Sequence, residues 1–215
     1  MRKLWKRDLG VLIDNKLNFG KHIQTIVTRA NRVLGMIRIA FACMNKEMFL
    51  NIYTALVRPL LEYCVQVWSP HQRKHVNLIE GVQRRATRLV PELRKLTYEE
   101  RLIKLKLTTL EARRVRGDMI ETYKIITGKE NINPDKFFKM DPRPRREKFH
   151  TRRIFMKRYR LNIRKYSFSQ RVIPKWNTLS KAEVQAEKTK DFKKVFDKIE
   201  GVRVGARRDD IYEWT

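Results

Sequence analysis

Between Ile79 and Leu93 the chain reads IEGVQRRATRLVPEL, which places Arg84, Arg85 and Arg88 within five residues. A guanidinium is permanently charged, planar and rich in N–H donors, so arginines at this density suit phosphate oxygens. The competing reading is a solvated helix face, with Glu80 and Arg84 forming an i,i+4 pair worth only about 0.3–0.5 kcal/mol. So small a gain does not account for three clustered arginines. A second concentration lies from Arg143 to Arg171, where twelve Lys and Arg face the single acid Glu147 and alternate with Phe155, Tyr159, Tyr166 and Phe168. Cations of this kind neutralise phosphates and release counterions, while aromatic rings give bases a stacking surface. The candidates in that run are Arg152, Arg153, Lys157, Arg158, Arg160, Arg164 and Lys165. Its aromatics could equally be core and its charges solvated, because amphipathic side chains often do both.

Other chemistry finds little to stand on. Cys43, Cys64, His71 and His75 are the candidate metal ligands, but no cysteine pair has finger or knuckle spacing. Surface histidines and buried thiols are the simpler expectation. The chain has no G-x-S-x-G and no Gly-rich phosphate loop. Asp209 and Asp210 are adjacent, yet a two-metal site needs carboxylates clustered on rigid elements and this pair lacks a third. No catalytic residue, metal or cofactor is therefore expected. Arg113, Arg114 and Arg116 are diluted by Glu111, Asp118 and Glu121 and suit a mixed-charge solvent face.

The whole composition points the same way as the two clusters. Fifty Lys and Arg against 23 Asp and Glu give +27 over 215 residues, a charge that repels itself unless a polyanion neutralises it. The expected partners are RNA, DNA or their hybrid. Two cysteines suggest a reducing compartment, hence an intracellular setting, nucleus or cytoplasm. MRKLWKRDLG has no apolar core, and no stretch reaches the roughly 20 apolar residues of a membrane span, so no membrane partner is expected.

Elements that could position these charges are mostly helices. Asp8 to Asp14 reads as a strand without a nearby partner. Ile23, Ile26, Val27, Ala30, Val33, Leu34, Ile37 and Phe41 recur at steps of three and four and predict one buried helical face. A second helix over Lys46 to Val67 would turn Met48, Phe49, Ile52, Tyr53, Leu56, Leu60, Tyr63, Cys64 and Val67 inward, with a kink at Pro59. In a third, near Arg73 to Val90, Leu78, Ile79, Val82, Ala86, Leu89 and Val90 share the inner face. Arg84 and Arg88 then point outward and Arg85 flanks them. Thr97 to Glu100 and Thr108 to Glu111 are capping boxes opening two more helices, the later one closing at Gly128. YRLNIRKY alternates as a short extended segment would, Ser167 to Leu179 reads as a helix interrupted by Pro174, and TKDFKKVFDKIE as a final amphipathic helix.

Taken in order, DLGVLIDNKLNFGKHI, ANRVLGMIRIAF, YTALVRPLLEYCVQVWSP, LIEGVQRRATRLVPEL, LTYEERLIKLKLTTLEARRVRGDMIETYKIITG and YSFSQRVIPKWNTLS resemble the C-terminal region of LINE-type, non-LTR retrotransposon reverse transcriptases of the jockey-like group. The resemblance covers about Asp8 to Gly201 and begins after that family's catalytic palm. It implies a remnant strand at a palm edge (1–15), a thumb-like helical bundle (16–130) and a basic C-terminal subdomain (131–200), while the tail (201–215) departs from the family pattern and is assigned no role. The fold class is thus mainly α, with a short N-terminal strand and minor extended structure in the basic segment. The implied function is that of a nucleic-acid-binding fragment gripping a template-primer duplex or RNA, inactive as a polymerase alone. A palm and fingers domain from another chain is a possible partner. The alternatives are a domesticated helical interaction module and a non-functional translated remnant.

Overall fold

The computed structural model describes residues 5–142 and 150–199. The chain is mainly α. In order it forms β1 (Trp5–Asp8), β2 (Val11–Asp14), α1 (Gly20–Ala40), α2 (Lys46–Ile52), a π turn (Tyr53–Val57), α3 (Arg58–Glu62), α4 (Val65–Trp68) and α5 (Arg73–Ala86). After 3-10 turns at Thr87–Leu89 and Pro91–Leu93 come α6 (Tyr98–Leu105) and α7 (Leu110–Ile126). A further 3-10 turn at Pro134–Lys136 precedes α8 (Asn162–Lys165), α9 (Phe168–Arg171), α10 (Ile173–Trp176), α11 (Lys181–Val184) and α12 (Thr189–Ile199). The described residues divide into two compact units, 5–63 with 72–111, and 64–71 with 112–142 and 150–199. The boundary expected at residue 131 falls inside the second of these units.

In the first unit the strand expected over Asp8 to Asp14 is instead the turn and second strand of a hairpin, whose first strand lies immediately before it. β1 and β2 pair antiparallel from Trp5 opposite Asp14 to Asp8 opposite Val11. Leu9 and Gly10 connect them with φ of 41° and 83°, the two positive values a tight hairpin turn needs. The Tyr63 hydroxyl donates to the Leu9 carbonyl at 3.1 Å and ties down the turn. α1 follows its predicted face, burying Ile23, Ile26, Val27, Ala30, Leu34 and Ile37. It packs against α5 and α3. Phe41 lies beyond the helix end and is exposed, contrary to the expectation from periodicity.

The predicted second helix departs from expectation in an instructive way. Instead of a plain proline kink, the Arg58 N–H reaches back to the Tyr53 carbonyl, five residues earlier, just before Pro59. A π turn inserts one residue into the helical register and rotates the turns beyond it. Phe49 and Tyr53 stay buried, but Val57 and Leu61 turn inward where Leu56 and Leu60 were expected. Leu56 is exposed as a result. The helix then breaks at Cys64, whose φ is 53°, so Tyr63 and Val67 face solvent while Val65 and Trp68 are buried. Cys43 is exposed and Cys64 half-buried, not the buried thiols expected.

The second unit has a core of its own. Met119 and Tyr123 of α7 meet Phe138, Ile154, Val172, Ile173, Trp176, Val184, Phe192 and Phe196. Tyr123 stacks on Phe192 with centroids 4.4 Å apart. α7 ends as the sequence predicts: Gly128 has φ of 68°, its N–H donates to the Ile125 carbonyl, and Lys129 donates to Lys124. These paired bonds form a Schellman closure, which glycine accommodates without a Cβ clash. Val115, expected inward, is exposed. Pro174 sits in the first turn of α10, which Val172 separates from α9, and α12 buries Phe192 and Phe196 but leaves Ile199 exposed. The extended structure expected in YRLNIRKY is absent; Asn162–Lys165 is one helical turn, and the extended pairing among the described residues here is a bridge from Met140 to Ile154. Period two over so few residues does not distinguish a strand from an exposed turn. Arg143 to Phe149 and the tail with Asp209 and Asp210 lie outside the described residues.

Candidate nucleic-acid interface

In the first unit the arginine-bearing helix α5 is held by an apolar stripe and a buried polar network. Val76, Ile79, Val82 and Ala86 are buried, whereas Leu78, which the sequence placed inward, is exposed. Gln83 is wholly buried and acts as the hub. Its Oε1 accepts from the Tyr53 hydroxyl at 2.7 Å, while its Nε2 donates to the Tyr98 hydroxyl oxygen and to the Thr108 carbonyl, each at 2.9 Å. The Tyr98 hydroxyl donates to Glu80, and the other Glu80 oxygen accepts the Leu110 N–H at 3.0 Å. That contact satisfies a first-turn donor of α7, where the sequence suggested a Thr108 capping box. The Thr97–Glu100 box of α6 is present with both of its bonds. Burial raises the Tyr98 and Tyr53 hydroxyls well above ordinary phenol values, and Glu80 pushes Tyr98 further. Both tyrosines remain protonated donors.

With α5 held in this way, Arg84, Arg85 and Arg88 are all exposed. The Arg84 guanidinium lies 4.9 Å from the Tyr98 ring centroid. Arg85 leans toward α1, donating from Nε and Nη2 to the Asn31 side-chain oxygen at 3.1 and 3.0 Å. The carbonyl of Arg88 accepts from Arg94 Nε at 3.2 Å, leaving the Arg88 side chain outward. A cavity of about 160 Å³ opens beside Arg84, with Arg73, Glu80, Glu99 and Glu111 among its lining. Its carboxylates make it a mixed-charge hollow, and Arg73 is already paired with Glu111 at 3.3 Å.

The basic run of the second unit is pinned at both ends. On one side Asn177 donates to the Ile154 carbonyl at 2.9 Å and accepts its N–H at 3.0 Å, while Trp176 Nε1 donates to the Arg152 carbonyl at 2.8 Å. On the other, Arg171 donates to the Tyr166 carbonyl and grips Asp118 with two bonds of 2.9 Å. Between these anchors Lys157, Arg158, Arg160, Arg164 and Lys165 are exposed, as are Met156, Tyr159, Leu161 and Ile163. Arg152 is exposed and donates to the Val184 carbonyl at 3.4 Å, and Arg153 is half-buried. Tyr166 stacks on His71 at 4.0 Å, with Lys165 5.3 Å from its ring centroid. Partial burial lowers the His71 pKa.

Arg153 apart, none of these candidate cations pairs with a carboxylate among the described residues. The acids are engaged elsewhere, as in Arg116–Asp197 at 2.6 Å and Arg171–Asp118 at 2.9 Å. Each unit therefore displays its own set of cations. Among the described residues no three His, Cys, Asp or Glu come close enough to hold a metal, and no helix is long and apolar enough to cross a membrane.

Local pattern did not reveal the residues that fix these clusters. Gln83 and Asn177 are polar residues without a distinctive motif. Arg101 gave a faint signal: it shares the inner face of α6 with Tyr98, Leu102 and Leu105 and is 2% exposed.

Comparison with known proteins gives partial similarity. No family model and no solved structure matches the chain. An uncharacterized protein of Caenorhabditis elegans is 26% identical over 137 residues, covering 61% of this chain and 69% of that protein. A probable RNA-directed DNA polymerase from transposon X-element of Drosophila melanogaster is 31% identical over 88 residues. That alignment covers 38% of this chain and 9% of the polymerase. The similarity supports a relation to retroelements.

Proposed function

We propose that this chain binds nucleic acid through backbone phosphates, as a relative of the C-terminal, thumb and post-thumb region of jockey-like retrotransposon polymerases. The observation that carries the reading is the exposure of Arg84, Arg88, Lys157, Arg158, Arg160 and Arg164 without carboxylate partners among the described residues. Unpaired surface cations in a chain of net charge +27 attract a polyanion, and each phosphate they neutralise releases counterions. Phosphate contacts of this kind position a duplex without reading its sequence. The partial similarity to a transposon RNA-directed DNA polymerase favours an RNA–DNA hybrid or RNA as the ligand. Binding, and no catalytic step, is assigned to these residues.

The test is titration of a labelled RNA–DNA hybrid with the pure chain over a range of salt. Log affinity should fall linearly with log salt, by about 0.7–0.9 per phosphate contact. Replacing Arg84, Arg85 and Arg88 together by Ala should flatten that slope by about 2–3. An unchanged slope would return the three arginines to a solvated face.

A second reading is a protein-docking role. Met36 and Ile39, three apart on α1, are 61% and 83% exposed, and Leu56 is exposed as well. Apolar side chains displayed in this way mark interaction surfaces when they form a patch. Association through them would be nearly indifferent to salt, so the same titration separates the two.

A further inference from the structure

Arg101 stands out among the buried groups because its charge pairs with no carboxylate among the described residues. It is 2% exposed, and its Nε is buried without a hydrogen-bond acceptor. Among the described residues its hydrogen bonding is limited to Nη1, which donates to the Leu96 carbonyl at a long 3.4 Å. Burial lowers its proton affinity most, and the positive charges of Arg88 and Arg84 lower it further, against opposing contributions from Tyr98 and Glu99. Arg84 and Arg101 both lie against the Tyr98 ring, at 4.9 and 5.8 Å from its centroid. That ring is held in place through its hydroxyl by Glu80 and Gln83. Arg94 donates from Nε to the Arg88 carbonyl at 3.2 Å.

A buried guanidinium that serves only packing is ordinarily matched by a carboxylate, since an uncompensated buried charge is unfavourable. Here the charges that act on it include two of the same sign, Arg88 foremost, beside the exposed carboxylate of Glu99. Such an arrangement is stabilised by an anion with several acceptor oxygens. We propose that Arg84, Arg88 and Arg101 form one receptor for a phosphate group. The two exposed arginines grasp the oxygens, and Arg101 supplies a third positive charge from beneath. The phosphate can belong to a nucleic-acid backbone or to a free phosphoryl compound, since both present the same oxygens. This deepens the polyanion reading given above and rests on it.

The experiment compares thermal unfolding of the intact chain in potassium phosphate and in potassium chloride at matched ionic strength. Phosphate should raise the wild-type midpoint. Arg101→Met keeps the length and apolar contacts of the side chain but removes its charge. Its midpoint in chloride should equal or exceed the wild-type value, and its phosphate increment should vanish. Lys104→Ala, which removes an exposed cation from the same helix, should keep the increment. Should Arg101→Met fail to fold, the double variant Arg84→Ala/Arg88→Ala carries the same expectation of a lost increment. A wild-type protein indifferent to phosphate, or an Arg101→Met protein that is less stable in chloride yet retains its increment, overturns the proposal.

The hybrid titration identifies the source of the phosphate. A salt slope flattened by about 1 in Arg101→Met supports the site with a backbone phosphate as occupant. An unchanged slope beside a lost increment supports it with a free phosphoryl group. Absence of salt-steep hybrid binding in the wild type counts against the nucleic-acid reading; an intact increment in Arg101→Met counts against this site alone.

Discussion

Replacing Gln83 by Leu tests whether the buried polar network holds the arginine helix in place. The side chain is nearly the same size, so loss of volume contributes little. The Tyr53 hydroxyl would lose its acceptor at 2.7 Å and the Thr108 carbonyl its donor at 2.9 Å, while Tyr98 would keep its bond to Glu80. Tyr53 is buried and its phenol stays protonated, so its orphaned hydroxyl cannot ionise to escape the penalty. Each buried polar group left unsatisfied costs about 1–3 kcal/mol, so two orphans predict a loss of about 3 kcal/mol in the first unit. For a unit of this size that corresponds to a fall of roughly 12–24 °C in unfolding midpoint. The assay is urea and thermal unfolding followed by circular dichroism, with Tyr53→Phe and the double variant completing a cycle. Because Tyr53→Phe removes one of the orphans, the double variant should be more stable than additivity predicts, by about 1–2 kcal/mol. Strict additivity, or a loss below about 0.5 kcal/mol for Gln83→Leu alone, would refute the reasoning.

Two more outcomes are expected, one in the second unit and one at the buried histidines. Asp118→Asn leaves the two-bond grip of Arg171 without its charge partner and should destabilise the second unit by about 3–5 kcal/mol. Adding Arg171→Met should recover most of that loss in urea unfolding, and no recovery would mean that the backbone bonds of Arg171 matter more than the ion pair. Burial lowers the pKa of both His22 and His150 below the ordinary 6.5, so the unfolded chain binds protons that the folded chain refuses. Stability is therefore retained above pH 6.5 and lost as pH falls below it, at up to about 1.4 kcal/mol per pH unit for each histidine. Unfolding curves between pH 7.5 and 5 should be flatter for His150→Gln than for the wild type, and identical slopes would discount His150.

By itself the sequence determined the helical character, the inner face of α1, the Thr97–Glu100 box and the Gly128 closure. These depend on neighbours within a turn or two, where periodicity and capping act directly. It also determined that Arg84 and Arg85 avoid the apolar stripe of α5, since a regular helix carries its faces forward predictably, and Arg88 is exposed as expected although it lies in the 3-10 turn beyond that helix. Tertiary structure decided the rest. The π turn at Tyr53–Val57 moved burial from Leu56 and Leu60 to Val57 and Leu61, a one-residue shift that no strict helical period anticipates. Apart from Glu80 on the same helix, the partners of Gln83 lie 15 to 30 residues away, and those of Asn177 are 23 away, so only the assembled units reveal them. Arg101 is the clearest case. Its place on an apolar face was legible, but the like charges of Arg84 and Arg88 reach it through space, and distance in space is a property that chain order alone does not contain.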